Sequence, residues 1–200
     1  MKKLNLIFIN FILITCLVGC SGKVSVPDNE NSLSVSKKGN ITQYIKEEFK
    51  ENYYNINELN DAILDEISVF NAKYGENEIV LKKAQMSSKY PAYTDIELAY
   101  ASCGSYVEFN DCILFIGTGQ EAFEKGFLDD VILSNIKDAT STLDKESLSK
   151  SKEKVLITNL NDVIILPSKV KYISSGCTVM NNNLSVKKNA DHNGLVYIVY

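Results

Sequence analysis

Residues 155–200 run VLITNLNDVIILPSKVKYISSGCTVMNNNLSVKKNADHNGLVYIVY. Apolar side chains recur there with a period of two, in short stretches separated by turn formers. Val155 to Ile157, Val163 to Leu166, Val170 to Ser174, Cys177 to Met180, Leu184 to Lys187 and Leu195 to Tyr200 are predicted strands. Pro167, Ser175-Gly176, Asn181-Asn182-Asn183 and Asp191-His192-Asn193-Gly194 supply the turns. Strands this short and closely spaced predict an antiparallel sheet or small sandwich, so this C-terminal region is expected to be all-β.

Working back along the chain, the period changes. From about Glu58 to Tyr74, Leu59, Ala62, Ile63, Ile67, Phe70 and Tyr74 follow one another at helical spacings, with Glu58, Asp61, Asp65 and Glu66 off or at the edge of that stripe. Asn55 or Asn57 can cap this helix, and Gly75 follows its end. Before it, Ser32 to Ser36 and Ile41 to Phe49 flank a Lys37-Lys38-Gly39-Asn40 turn and predict a β-hairpin. After it, Glu78 to Met86, Asp95 to Ser102 and Val131 to Ile136 are predicted strands. Cys112 to Ile116 is continuously apolar and predicts a central buried strand, and Gln120 to Lys125 a short helix ended by Gly126. The expectation is an α+β fold: a mainly antiparallel β-sheet with one amphipathic helix packed on it. Residues 32–137 form the α+β region and residues 155–200 the β-rich region. Between them 138–154, rich in Ser, Thr, Lys and acids, reads as a polar loop or linker, or as a solvated helix around Leu143 to Leu148. Residues 32–200 together are expected to make one domain.

The N-terminus carries an address. Lys2 and Lys3 precede an apolar run from Leu4 to Val18, long enough for a signal-peptide core and shorter than the roughly 20 residues of a spanning helix. The run closes in Leu17-Val18-Gly19-Cys20, which resembles the lipobox of bacterial lipoproteins. That resemblance implies lipid attachment at the Cys20 thiol and cleavage between Gly19 and Cys20 by signal peptidase II. Residues 1–19 would then be a lipoprotein signal peptide that takes Cys16, Lys2 and Lys3 away with it. Residues 20–31 would be the lipidated Cys20 and a flexible, Pro27-containing tether. Acyl chains contribute about 0.8 kcal/mol per buried methylene, so the expected location is the extracytoplasmic face of the cell membrane, held by the lipid.

Composition narrows the partners. The chain has 200 residues and a net charge of −4, and all 21 basic residues are lysines. With no arginine for bidentate phosphate or guanine readout, nucleic-acid binding is not expected. The Lys-, Asn- and Ile-rich, Arg-free usage is that of a low-GC Gram-positive genome.

Five places in the sequence carry residue types suited to chemistry. Gly117-Thr118-Gly119-Gln120-Glu121-Ala122 follows an apolar strand, opens a helix and matches G-x-G-x-x-[GA], with Asp138 about 20 residues on. The short helix and mid-chain position weigh against a dinucleotide, and a tight strand-to-helix turn is the expectation. Ser-x-x-Lys occurs seven times, from Ser34, Ser134, Ser147, Ser149, Ser151, Ser168 and Ser185, without Ser-Asp-Asn or Lys-Thr-Gly. His192, the only histidine, could pair with Cys103, Cys112 or Cys177, but it stands in an Asx- and Gly-rich turn and is expected to be a turn residue. Cys103 and Cys112 flank a predicted Gly104 to Asp111 loop, compatible either with a disulfide or with buried free thiols. Asp129-Asp130 and Glu76 with Glu78 do not follow the Ca²⁺-loop pattern. No catalytic residue, metal ligand set, cofactor or nucleotide site is therefore expected. Tyr53-Tyr54 and Tyr90-Pro91-Ala92-Tyr93 suit peptide or glycan contact, or edge packing in a chain without Trp.

Beyond the lipobox, YYNINELNDAILDEISVFNAKYG, ILFIGTGQEAFEKG and VIILPSKVKYISSGCTVMNNNLSV with GLVYIVY resemble a class of small clostridial-type lipoproteins. That class brings no activity or ligand with it. The leading expectation is a non-enzymatic binding or interaction module of the cell envelope, contacting an envelope protein or glycan. The alternatives are an envelope hydrolase acting on cell wall or peptide, and an accessory subunit of a membrane complex.

Overall fold

The computed structural model describes residues 30–49, 51, 54–87 and 92–200. The signal peptide 1–19, Cys20, the tether as far as residue 29, Tyr53, Tyr90 and Pro91 lie outside the described residues. In chain order the elements are β1 (Ser32–Val35), β2 (Ile41–Ile45), β3 (Glu48–Phe49), α1 (Ile56–Tyr74), β4 (Ile79–Met86), β5 (Ala92–Tyr100), α2 (Cys103–Asn110), β6 (Leu114–Thr118) and α3 (Gly119–Glu124). They continue with β7 (Ile132–Asn135), β8 (Thr142–Asp144), α4 (Lys145–Ser149), β9 (Lys154–Thr158), β10 (Val163–Ile165), β11 (Tyr172–Ile173), β12 (Cys177–Met180), β13 (Ser185–Lys188) and β14 (Val196–Val199). The fold is α+β.

The strands form two sheets. The eight-stranded sheet runs β12-β13-β10-β1-β2-β5-β3, with β4 also on β5; the six-stranded sheet runs β6-β9-β14-β11-β7-β8. All the described pairings are antiparallel except one: β1 lies parallel to β10, Ser32 opposite Val163 and Leu33 opposite Ile164. Each sheet thus takes strands from both sides of residues 138–154. That segment also differs from a linker in itself, since it carries β8 and α4, and Leu148 is completely buried.

Alternation along the six-stranded sheet explains its apolar sequence. Leu156 and Ile198 face one core, shared with Leu33, Ile41, Leu98 and Ile164 of the larger sheet. Val155, Ile157, Tyr197 and Val199 face a second core with Ala122 of α3 and Leu148 of α4. Both faces are covered, so these strands read as near-continuous apolar runs. In the larger sheet β10 is likewise buried throughout, whereas β5 alternates. On β5, Ile96, Leu98 and Tyr100 point into the first core, while Asp95 on the other face is hydrogen-bonded by Lys46 and Lys83.

Helix α1 has the expected stripe and cap. The Asn55 carboxamide accepts from Asn57 N–H at 2.9 Å, and Ile67 and Phe70 pack into the first core. Three expectations are corrected. The Gly104 to Asp111 loop is helix α2: Ser102 caps it by accepting from Ser105 N–H, and Asp111 closes it in the left-handed region. β5 consequently stops at Tyr100, short of Ser102. The CILFI strand is not central; β6 pairs only with β9 and forms an edge of its sheet, its apolarity arising from cores on both faces.

Candidate functional site

The glycine-rich turn is filled by the protein itself. Thr118 and Glu121 form a reciprocal capping box, the hydroxyl accepting from Glu121 N–H and the carboxylate from Thr118 N–H. Those backbone and side-chain hydrogen bonds to Thr118 hold the Glu121 carboxyl below its usual range. Gly119 N–H donates to Glu153 O and Gln120 N–H to Ser151 O, both at 3.2 Å. The amides that would cradle a phosphate are therefore already engaged, and the glycines serve close packing of the chain on itself. Asp138, where a ribose-binding acid would stand, accepts from Thr140 in a local turn.

The other sequence candidates are likewise dispersed. The possibility of a Cys103–Cys112 disulfide is not realised: Cys103, Cys112 and Cys177 are free thiols. Cys103 Sγ donates to Leu114 O at 3.3 Å. Burial, reinforced by neighbouring Cys112, pushes the Cys103 thiol up to about 11, and burial does the same for Cys177. Thiols of that kind are poor nucleophiles near neutral pH. The His192 ring lies across Gly176, at the place a Cβ would occupy, with Nε2 3.3 Å from Leu195 O. It closes a turn, and among the described residues no hydrogen bond joins it to a cysteine. Asp129 accepts from Tyr197, Asp130 pairs with Lys145 and Glu78 accepts from Ser105. Tyr54 is exposed and Tyr93 half-buried at the start of β5.

What the structure does assemble is a cleft of about 390 Å³ where one end of the two sheets meets. The β1–β2 hairpin brings two of its lysines. Ser36 N–H donates to Asn40 O and Gly39 N–H to Ser36 O, leaving a three-residue loop, Lys37-Lys38-Gly39, with Gly39 at φ +86. A three-residue hairpin loop wants glycine at its last position, so the two lysines stand at the tip. Asn40 Nδ2 donates to Ala101 O at 2.8 Å and pins that loop to the end of β5. From the other sheet comes Lys154, the first residue of β9. It lies on the same strand face as Leu156, one step beyond the first core, opposite Thr118 of β6. Its carbonyl accepts from Tyr200 N–H at 3.0 Å. Ile116, Pro167 and the buried Tyr200 give the cleft apolar walls, and Ser36 and Ser168 line it as well. Burial pushes the Tyr200 hydroxyl up to about 12, so it is a neutral group there.

Comparison with known protein families, curated proteins and solved structures returns no match.

The lysine-lined cleft was not foreseen from the sequence. Lys37 and Lys38 read as turn residues, and Lys37 and Lys154 as part of a repeated Ser-x-x-Lys pattern. The signal available was the Lys-Lys-Gly hairpin loop in an acidic chain. The parallel pairing of β1 with β10, which carries that loop toward Pro167 and Ser168, has no local signature. Two shallower grooves lie elsewhere among the described residues. One, of about 510 Å³, lies between α1 and α2 along Val69, Phe70, Tyr74 and Phe109; the other, of about 560 Å³, runs along Phe123 and Ile132.

Proposed function

We propose that this chain is an extracytoplasmic lipoprotein, anchored through Cys20, whose domain is a non-enzymatic binding module using the lysine-lined cleft between its sheets. The Leu17-Val18-Gly19-Cys20 box after a basic, then apolar, N-terminus supports the anchor. The cleft carries the binding part: it is concave, mixes a few polar groups with apolar walls, and falls within the roughly 300–1,000 Å³ usual for ligand sites. The high thiol values at Cys103 and Cys177 and the turn-closing role of His192 favour binding over hydrolysis.

Two experiments test this. Cys20→Ala is expected to abolish incorporation of labelled palmitate and leave an unprocessed precursor; normal labelling of the variant contradicts the anchor. A photo-crosslinking residue at Ser168 is expected to capture an envelope component in intact cells, and one at Glu58, on the distant helix, is not. Equal capture at both positions contradicts the cleft as the site.

A second reading, an accessory subunit of a membrane complex, is favoured by one observation. Val69 on α1 is 74% exposed beside the α1–α2 groove. Crosslinking from Val69 to a membrane protein, with none from Ser168, would select it.

A further inference from the structure

We infer that the cleft between the sheets binds a phosphate group, carried either by a small soluble phosphoester or by an anionic lipid headgroup; this rests on the cleft being the ligand site. Lys37, Lys38 and Lys154 line it with no Asp or Glu beside them, three positive residues against the main-chain carboxylate that Tyr200 carries as the last residue of the sequence. Among the described residues, Lys37, Lys38 and Lys154 stand in no ion pair; Lys73, Lys82, Lys125, Lys137, Lys152, Lys169 and Lys188 do not either, but the first three share the lining of one cleft. A chain of net charge −4 thus concentrates unpaired positive charge at one concave place. Charges of one sign in a half-enclosed cleft focus the field and raise the local concentration of the opposite ion.

Lysine ammonium groups bind phosphate as compact charges with rotatable donors. Three of them, from two directions, suit the oxygens of a tetrahedral group. The hairpin supplies two from the larger sheet and β9 one from the smaller. Ser168, exposed and with no hydrogen bond among the described residues, adds a hydroxyl donor at the lining. Ile116, Pro167 and the Tyr200 side chain leave an apolar wall for the carbon part of an ester, and about 390 Å³ holds a phosphate with a short organic group. Bringing Lys37 and Lys38 near Lys154 is repulsive in the empty protein, and a doubly charged anion relieves that repulsion.

The test is calorimetric titration of the purified, lipidated full chain in non-ionic detergent with sn-glycerol 3-phosphate and, separately, with dihexanoyl phosphatidylglycerol below its micelle concentration. Saturable binding of at least one is expected. Lys154→Gln, and Lys37→Gln with Lys38→Gln, should each weaken it tenfold or more. Lys169→Gln, beside the cleft but not lining it, should change it less than twofold. These lysines are exposed, so folding is retained, and a circular dichroism melt checks it. Stronger binding of the first probe assigns a soluble phosphoester, and of the second a lipid headgroup. Failure of both probes to saturate, or an equal loss in Lys169→Gln, overturns the inference. Photo-capture at Ser168 is read out separately: capture without phosphate binding overturns the anion assignment alone, and loss of capture removes the binding site itself.

Discussion

A Cβ placed on Gly119 would stand 2.0 Å from the backbone carbonyl oxygen of Leu148. The start of α3 therefore lies directly on α4, the element contributed by the polar segment 138–154. The glycine is required by the chain's own backbone. Neither backbone can yield cheaply in a packed interior, so Gly119→Ala is expected to cost about 1–3 kcal/mol, the range for overpacking. Gly104→Ala is the control. Its Cβ would meet nothing closer than the Ser102 hydroxyl at 3.5 Å, and it sits in α2, where alanine is the better helix former. Urea unfolding of both variants should show a lowered midpoint for the first and an unchanged or raised one for the second.

The turn between β12 and β13 makes a second test. Asn181, Asn182 and Asn183 all have positive φ, at 51, 56 and 67 degrees. Asparagine tolerates this region better than other side chains, and a β-branched residue tolerates it worst. Asn182→Val should cost about 1–2 kcal/mol, and Asn182→Gly should be neutral or stabilising. Thermal melts of the two variants compare them directly.

Acid stability should depend on Asp95. Partial burial raises its pKa, but hydrogen bonds and charge from Lys46 and Lys83 outweigh this and hold the carboxyl below its ordinary value. A depressed folded-state pKa gives stability that is complete above the unfolded value of 3.8 and lost as pH falls through the lower folded value. Asp95→Asn is expected to cost about 1–2 kcal/mol at pH 7, in the lower range for charged hydrogen bonds. The gap from the unmodified protein should narrow below pH 4, as followed by urea unfolding across pH.

The thiols offer a fourth. Cys103, Cys112 and Cys177 are free, and burial raises all three. Iodoacetamide at pH 7.5 should modify them slowly in the native protein and all three rapidly after unfolding without reductant. Peptide mapping would reveal a linked Cys103–Cys112 peptide if the expectation is wrong.

Local features were legible because their causes are local. The α1 stripe, the Asn55 cap and the terminal glycine Gly75 all lie within one stretch of chain. So do the β1–β2 turn and the alternation of β9 and β14. Helix α2 escaped notice because eight residues give little periodicity and its signal is a single cap, Ser102. The segment 138–154 read as solvated because it holds few apolar residues, yet Leu148 is wholly buried in the second core. The cleft was the least legible feature. Its lysines are brought together by the β1–β10 and β6–β9 pairings, which join segments far apart in the chain.

The most direct test of the cleft as a binding site is a nuclear magnetic resonance titration with sn-glycerol 3-phosphate. The predicted result is a saturable shift of the backbone amides of Gly39, Ile116, Ser168 and Tyr200 together, with a single affinity. These residues belong to four separated segments that share only the cleft. Shifts scattered over exposed lysines with no common saturation, or gathered at Val69 and Phe109 in the α1–α2 groove, would contradict it.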